Sequence, residues 1–314
     1  MKHFDPTLFA DIADFLNIAS PAFVEKDYYA VQLLKTISSI KLPETKLIFA
    51  GSTCLTKVHL PTFRMSEDLD LKFLPNKNFF NLSNNKKRKY RSNYGDLVIK
   101  TIEDSHIFKL KNKESKSEGK YRCFHVSYPK MYKHDSLRPE LKVEFTEIDS
   151  QYLSTIKSSI GSIYSSITKQ LPEIHLLACD PIEMILIEKF LGLLRRVAEI
   201  HRGYSDNDDE ALVRHIYDLY LIYPIIHDFS QIKKVFKLIV NQDVMQFGIR
   251  HAEFKYDPMK ELLYGLNILT TDIKYKNRYK TFLGPLIYNA NPPSWEQGMN
   301  TLHLLSKILL TKIY

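Results

Sequence analysis

The sequence predicts an α+β catalytic half followed by a helical half. Three observations carry that expectation. Short stretches between residues 46 and 150 alternate apolar and polar side chains in period two, as half-buried strands do. Ahead of them, Phe23, Tyr28, Tyr29, Val31, Leu33, Leu34 and Ile37 recur at helical spacing, and Pro43 ends the run. Beyond about residue 165 the pattern turns helical and stays so. The expected division is 1–160 for the catalytic half and 161–314 for the helical one.

Taken in order, KLIFA (46–50) is an apolar strand that runs into Gly51-Ser52, and TCLTKV then suits a helix. DLDLKF (68–73), YRCFHVSY (121–128) and LKVEFTEI (141–148) read as further strands. KNKESKSEGK (111–120) holds no apolar residue and reads as an exposed loop joining two of them. Asp180-Pro181 followed by Glu183 opens a helix expected to reach about Val197. HRGYSDNDDE (201–210) is a polar connector, and the next helix ends before Pro224.

Bulk composition narrows the function. With 314 residues, 44% of them hydrophobic, the chain can bury a sizeable core. Lys and Arg outnumber Asp and Glu by 44 to 36, and the resulting +8 charge favours an anionic partner. Cys54, Cys123 and Cys179 lie far apart, which indicates neither a zinc site nor a disulfide framework. The opening segment lacks the apolar core of a signal peptide, and the longest strongly apolar run, 219–226, is far shorter than the roughly 20 residues a bilayer needs. A soluble, cytoplasmic protein without a membrane partner is the expectation. No GxxxxGK, GxGxxG, HExxH or GxSxG pattern is present.

The chemistry concentrates in residues 49–73. Asp68 and Asp70 are two apart on a strand, so both carboxylates project from one face. Two such charges repel unless a cation lies between them, and magnesium commonly takes one or two carboxylates plus substrate phosphates. A solvated edge of acids is the alternative for that pair alone. Gly51-Ser52 between a strand and a helix resembles a phosphate site, with Lys57 in the same helix; an ordinary N-capped turn is the alternative. Glu144 shares a strand face with Lys142 and Thr146, which makes it a candidate third ligand or general base, or else the partner of Lys142. Glu147 faces the other way.

Two features lie outside that segment. Lys189 interrupts the stripe of Ile182, Ile185, Leu186, Leu193 and Val197, so it must snorkel, pair or serve a ligand. Asp218 stands four residues after Arg214, where a helical ion pair accounts for it. The basic stretch 86–91 could track a nucleic-acid backbone or form a solvated helix face.

Gly51-Ser52-Thr53 with Lys57, followed by Arg64-Met65-Ser66-Glu67-Asp68-Leu69-Asp70, resembles the signature of the AbiEii toxin family of nucleotidyltransferases, which includes the MenT toxins. VEKDYYAVQLL (24–34), IEKFLGLLRR (187–196) and RHIYDLYLI (214–222) are similar to its N-terminal helix and downstream motifs, and PSWEQGMNTL (293–302) to its C-terminal segment. The resemblance implies a polymerase-β-like nucleotidyltransferase fold with a mixed sheet, then a helical C-terminal domain. It implies transfer of NMP from an NTP, a pyrimidine nucleotide with CTP foremost, to the 3′ acceptor end of tRNA. That blocks aminoacylation and translation, in a type IV-like toxin–antitoxin system with a cognate antitoxin. By the same resemblance Gly51 and Ser52 contact triphosphate, with Ser66 a further candidate there, and Asp68 and Asp70 bind magnesium, or manganese in its place. Lys189 and Asp218 fall at essential positions. In the mechanism expected for such a site, Lys57 and Lys189 offset triphosphate charge. The family's Asp after the last motif's arginine is His215 here. The competing readings are the same fold acting on a protein or small-molecule hydroxyl, and a catalytically silent basic RNA-binding module.

Overall fold

Period-two alternation does place the strands. In the computed structural model, which describes residues 4–41, 45–284 and 286–311, β2 (Asp68–Pro75), β4 (Tyr121–Ser127) and β5 (Leu141–Glu147) stand where the alternation predicts, and β1 (Thr45–Ala50) where the apolar run does. Pro43 lies outside the described residues. Three strands were not foreseen. Residues expected to loop form the edge strand β3 (Lys109–Lys116), and β6 (Ile156–Ile160) and β7 (Ile174–Cys179) complete a seven-stranded sheet in the order β3-β4-β5-β2-β1-β7-β6. β3 is solvated along almost its whole length, so it shows no apolar alternation, and lysines along an edge discourage pairing with other chains. β6 and β7 are short, and their solvent-facing residues dilute the pattern.

The sheet is mixed. β2 runs parallel to β5 and β1 parallel to β7; the remaining pairs are antiparallel. Leu69, Leu71, Phe73, Val143 and Phe145 are buried on one face. There α5 (Asn84–Asp104) lays Tyr94 against Phe73 and Phe145, with ring centroids 4.3 and 5.5 Å away. Each such fully buried large side chain contributes about 1.5–3 kcal/mol. The opposite face carries Asp68, Asp70, Lys72, Lys142 and Glu144.

Around the sheet lie α1 (Leu8–Phe15), α2 (Pro21–Ser38), the short α3 (Gly51–Cys54) and α4 (Lys77–Phe80), and α6 (Ile163–Ile167). Ser20 caps α2 by accepting the Ala22 N–H, with Pro21 in the first turn. A π-helical turn, Leu55–His59, continues α3.

Two compact units result, one ending at Pro181 and the other beginning at Ile182. The expected boundary at 160 coincides with the end of β6, whereas the division follows β7, because that hairpin pairs into the sheet. The second unit is helical: α7 (Ile182–His201), α8 (Arg214–Ile222), α9 (Ser230–Phe247), α10 (Ala252–Tyr256), α11 (Pro258–Thr271), α12 (Ile273–Phe282) and α13 (Trp295–Leu309). α11 crosses α7 at Gly265, where a Cβ would come within 2.1 Å of the Leu194 carbonyl oxygen. No described helix is long and apolar enough to cross a membrane.

Candidate active site

Three carboxylates share one sheet face. Asp70 on β2 pairs in register with Glu144 on β5, and Asp68 with Lys142. Neighbouring strands lie about 4.8 Å apart, so Asp70 and Glu144 are side by side, with Asp68 one pleat away. Glu144 accepts from the Tyr121 hydroxyl and pairs with Lys142 at 2.9 Å. Burial works against its charge, yet the Tyr121 hydrogen bond and the Lys142 ammonium prevail and hold its carboxyl below the ordinary range. Glu144 is therefore ionised at neutral pH and suits a ligand's role better than a proton acceptor's. The structure shows the Lys142 alternative, an ion pair, and sets Glu144 beside Asp70 in register.

The turn after β1 presses against this face. Gly51 has φ +72°, and a Cβ there would come within 1.9 Å of Asp70 Oδ2. Glycine is thus required twice, for the backbone region and for the carboxylate packed on its Cα. Thr53 in α3 hydrogen-bonds the Ser66 hydroxyl at 2.9 Å and donates to the Asp68 carbonyl, latching the turn to the start of β2. Ser66, expected at triphosphate, is buried and engaged in that latch. Lys57, also expected at triphosphate, forms an ion pair with Asp27 of α2, both side chains at most 9% exposed. Its position makes it a tie between the turn and α2. On the same face Lys72 pairs with Asp180 at 2.6 Å, and His59 from the π turn hydrogen-bonds the Asp180 carbonyl at 2.8 Å.

Sequence reasoning missed the residues that brace the site. Glu25, Lys26 and Asp27 follow one another on α2 and all are buried. Glu25 accepts the N–H groups of Met131 and Tyr132 at 2.7 and 3.1 Å. Lys26 pairs with Glu67 at 2.5 Å, and Asp27 holds Lys57 and the Ile163 N–H. Arg138, on the segment between β4 and β5, is ion-paired to Asp68. The available signal was three adjacent charges inside an otherwise apolar helix, which cannot all face water.

In the second unit Lys189 of α7 pairs with Asp218 of α8 at 2.7 Å, with side chains 5% and 0% exposed. Lys189 thus resolves its place in the apolar stripe by pairing. Asp218 was expected to pair with Arg214, whose Nε instead donates to the Ala211 carbonyl. Burial, seconded by the Lys189 charge, drives the His215 imidazole well below its usual range, so it is neutral at pH 7.

The donor set on the sheet suits a hard cation. Its oxygen donors are Asp68 and Asp70, with Glu144 beside Asp70; among the described residues no group of three or more His, Cys, Asp or Glu is placed to hold a metal ion. An open, oxygen-lined set is what magnesium takes when it shares its shell with substrate phosphates.

The sequence model of the family described as nucleotidyl transferase AbiEii toxin, type IV TA system, matches residues 32–301. The chain belongs to that family. AbiEii membership makes it a nucleotidyltransferase toxin of a type IV toxin–antitoxin system, and it sets aside the silent RNA-binding reading. Among solved structures, MenT4, a nucleotidyltransferase toxin from Mycobacterium tuberculosis, is similar with a TM-score of 0.51 at 20% identity, over 77% of this chain and 72% of that one. The likeness supports the expected mixed-sheet nucleotidyltransferase fold with a helical C-terminal region. No curated protein matches the chain. Of the residues singled out from sequence, Gly51, Asp68, Asp70 and Glu144 converge directly, Ser66 and Lys57 brace them, and Lys189 and Asp218 meet each other.

Proposed function

We propose that this AbiEii toxin is a magnesium-dependent enzyme that transfers NMP from an NTP, with CTP the first candidate, to the 3′ acceptor end of tRNA. Aminoacylation, and with it translation, stops, and a cognate antitoxin opposes the effect. The observation that carries the chemistry is the placement of Asp68, Asp70 and Glu144 on one face beside the Gly51 turn. Asp68 and Asp70 hold the ion, with Glu144 beside Asp70. When bound, magnesium neutralises the triphosphate and polarises the attacked phosphorus. Gly51 and Ser52 bring backbone N–H groups to the phosphates, and Thr53 and Ser66 keep that turn at the start of β2. The acceptor hydroxyl attacks in line; a new oxygen–phosphorus bond forms as pyrophosphate leaves. Lys189 and Asp218 act as one buried unit, since their ion pair joins two side chains that are almost wholly shielded from water.

Purified protein incubated with magnesium, each α-labelled NTP and total tRNA, beside Asp68→Ala, tests this. Label on tRNA is expected from one NTP, with a loss of at least about 10²-fold in the variant. Label on protein and not on RNA moves the acceptor to a protein hydroxyl, and equal labelling by Asp68→Ala sinks the assignment.

A further inference from the structure

Arg138 belongs to the segment 128–140 between β4 and β5, outside any helix or strand. Its backbone is gripped from both sides. The Arg138 N–H donates to Glu67 Oε2 at 3.1 Å, and its carbonyl accepts from Lys26 Nζ at 2.5 Å. Those two gripping side chains are buried and bonded to each other. Glu25, one residue before Lys26, pins the same segment at Met131 and Tyr132. The Arg138 side chain, by contrast, is 40% exposed, and its guanidinium donates to Asp68 Oδ1. A buried ion pair thus fixes where one accessible guanidinium starts, and leaves its far end able to move.

Asp68 is also the carboxylate assigned to the metal, and two cations compete for one anion. We propose that Arg138 is an exchangeable cation of the site: it occupies Asp68 until the metal claims that carboxylate, then turns its guanidinium to the NTP triphosphate. The inference rests on the reading of Asp68 as a metal ligand. A planar guanidinium with five donors suits phosphate oxygens, which it meets two at a time. With the peptide groups held by Lys26 and Glu67, the exchange needs only side-chain rotation. Arg138 thereby keeps Asp68 ordered and compensated before substrate arrives and adds a charge to the triphosphate afterwards.

The test is Mn²⁺ binding, without nucleotide, followed by electron paramagnetic resonance in wild type, Arg138→Gln and Arg138→Lys, with KM for the NTP measured in parallel. Arg138→Gln is expected to bind Mn²⁺ about fivefold more tightly, the loss of one partly exposed competing pair, while KM rises about tenfold. Arg138→Lys keeps the charge and loses the fork, so its Mn²⁺ affinity stays at the wild-type level while KM still rises; it carries the test if the glutamine variant fails to fold. Unchanged or weaker Mn²⁺ binding in Arg138→Gln, or unchanged KM in Arg138→Lys, overturns the proposal. A wild type that binds no Mn²⁺ overturns the metal reading itself, and this inference with it.

Discussion

Two runs of charge lie on neighbouring helices and behave oppositely. On α2, Glu25, Lys26 and Asp27 are all buried, and each braces a different part of the candidate site. On α5, the longer run 86–91 dissolves into separate roles. Arg88 is tied to Glu118, Arg91 forks onto Glu147 at 2.7 and 2.6 Å, Tyr90 shares a hydrogen bond with Thr45, and Lys86 and Lys89 are exposed. The difference teaches that charge density in a sequence says little about a site. What counts is whether each charge is desolvated and which distant group compensates it.

The largest expected effect is on the buried run. Lys26→Met leaves Glu67 buried without its cation and releases the Arg138 carbonyl, so a loss of about 4–5 kcal/mol in urea unfolding is expected. A loss below 1 kcal/mol would dissolve the contrast between the helices. Arg91→Ala comes next, at about 3 kcal/mol, because its pair with Glu147 is buried, unlike the lysines and Arg88 of the same run. It should leave nucleotide KM unchanged, which Lys26→Met should not.

The acids of the two regions should also respond to pH with opposite sign. Burial holds the Glu25 carboxyl above its ordinary 4.5 despite the N–H groups of Met131 and Tyr132. Folded protein binds that proton more firmly than unfolded, so the contribution is full below pH 4.5 and fades as pH rises through the folded value. The Arg88 hydrogen bond holds Glu118 below its ordinary 4.5, so its contribution is present above that pH and fades as pH falls. Stability relative to wild type, measured for Glu25→Gln and Glu118→Gln between about pH 3.5 and 7, should diverge in opposite directions; parallel profiles would break the comparison. The smallest effect is expected for Lys86→Ala with Lys89→Ala, within about 0.5 kcal/mol of wild type. An unchanged salt dependence of tRNA binding in that double variant would remove the nucleic-acid reading of the stretch.

Much of the candidate site's face was legible because strands announce their faces. Alternation in DLDLKF and LKVEFTEI put Asp68, Asp70 and Glu144 on polar faces, and it put Glu147 on the other, where Arg91 holds it. Gly51 was legible as a turn, but its reason was not: the group at its Cα is the Asp70 carboxylate, 19 residues ahead. The edge strand β3 escaped because it is solvated, and period two means nothing without a buried face. Lys26 and Arg138 are 112 residues apart, and Lys189 reaches Asp218 on the next helix. Such pairings obey no local period, so composition hints at them only as charges in the wrong place.

The strand order also sets a timetable. β2 and β5 are neighbours although residues 76–140 separate them, and β1 takes β7 as its other neighbour only from residue 174 onward. Pairing across such spans closes late, after most of the chain is available. A ribosome that has exposed Asp68 and Asp70 has therefore not yet made Arg138 or Glu144. A product truncated before β5 lacks both the third carboxylate and the guanidinium beside Asp68. On the proposed function, fragments released by interrupted synthesis are expected to be inert, and toxicity to belong to the finished sheet.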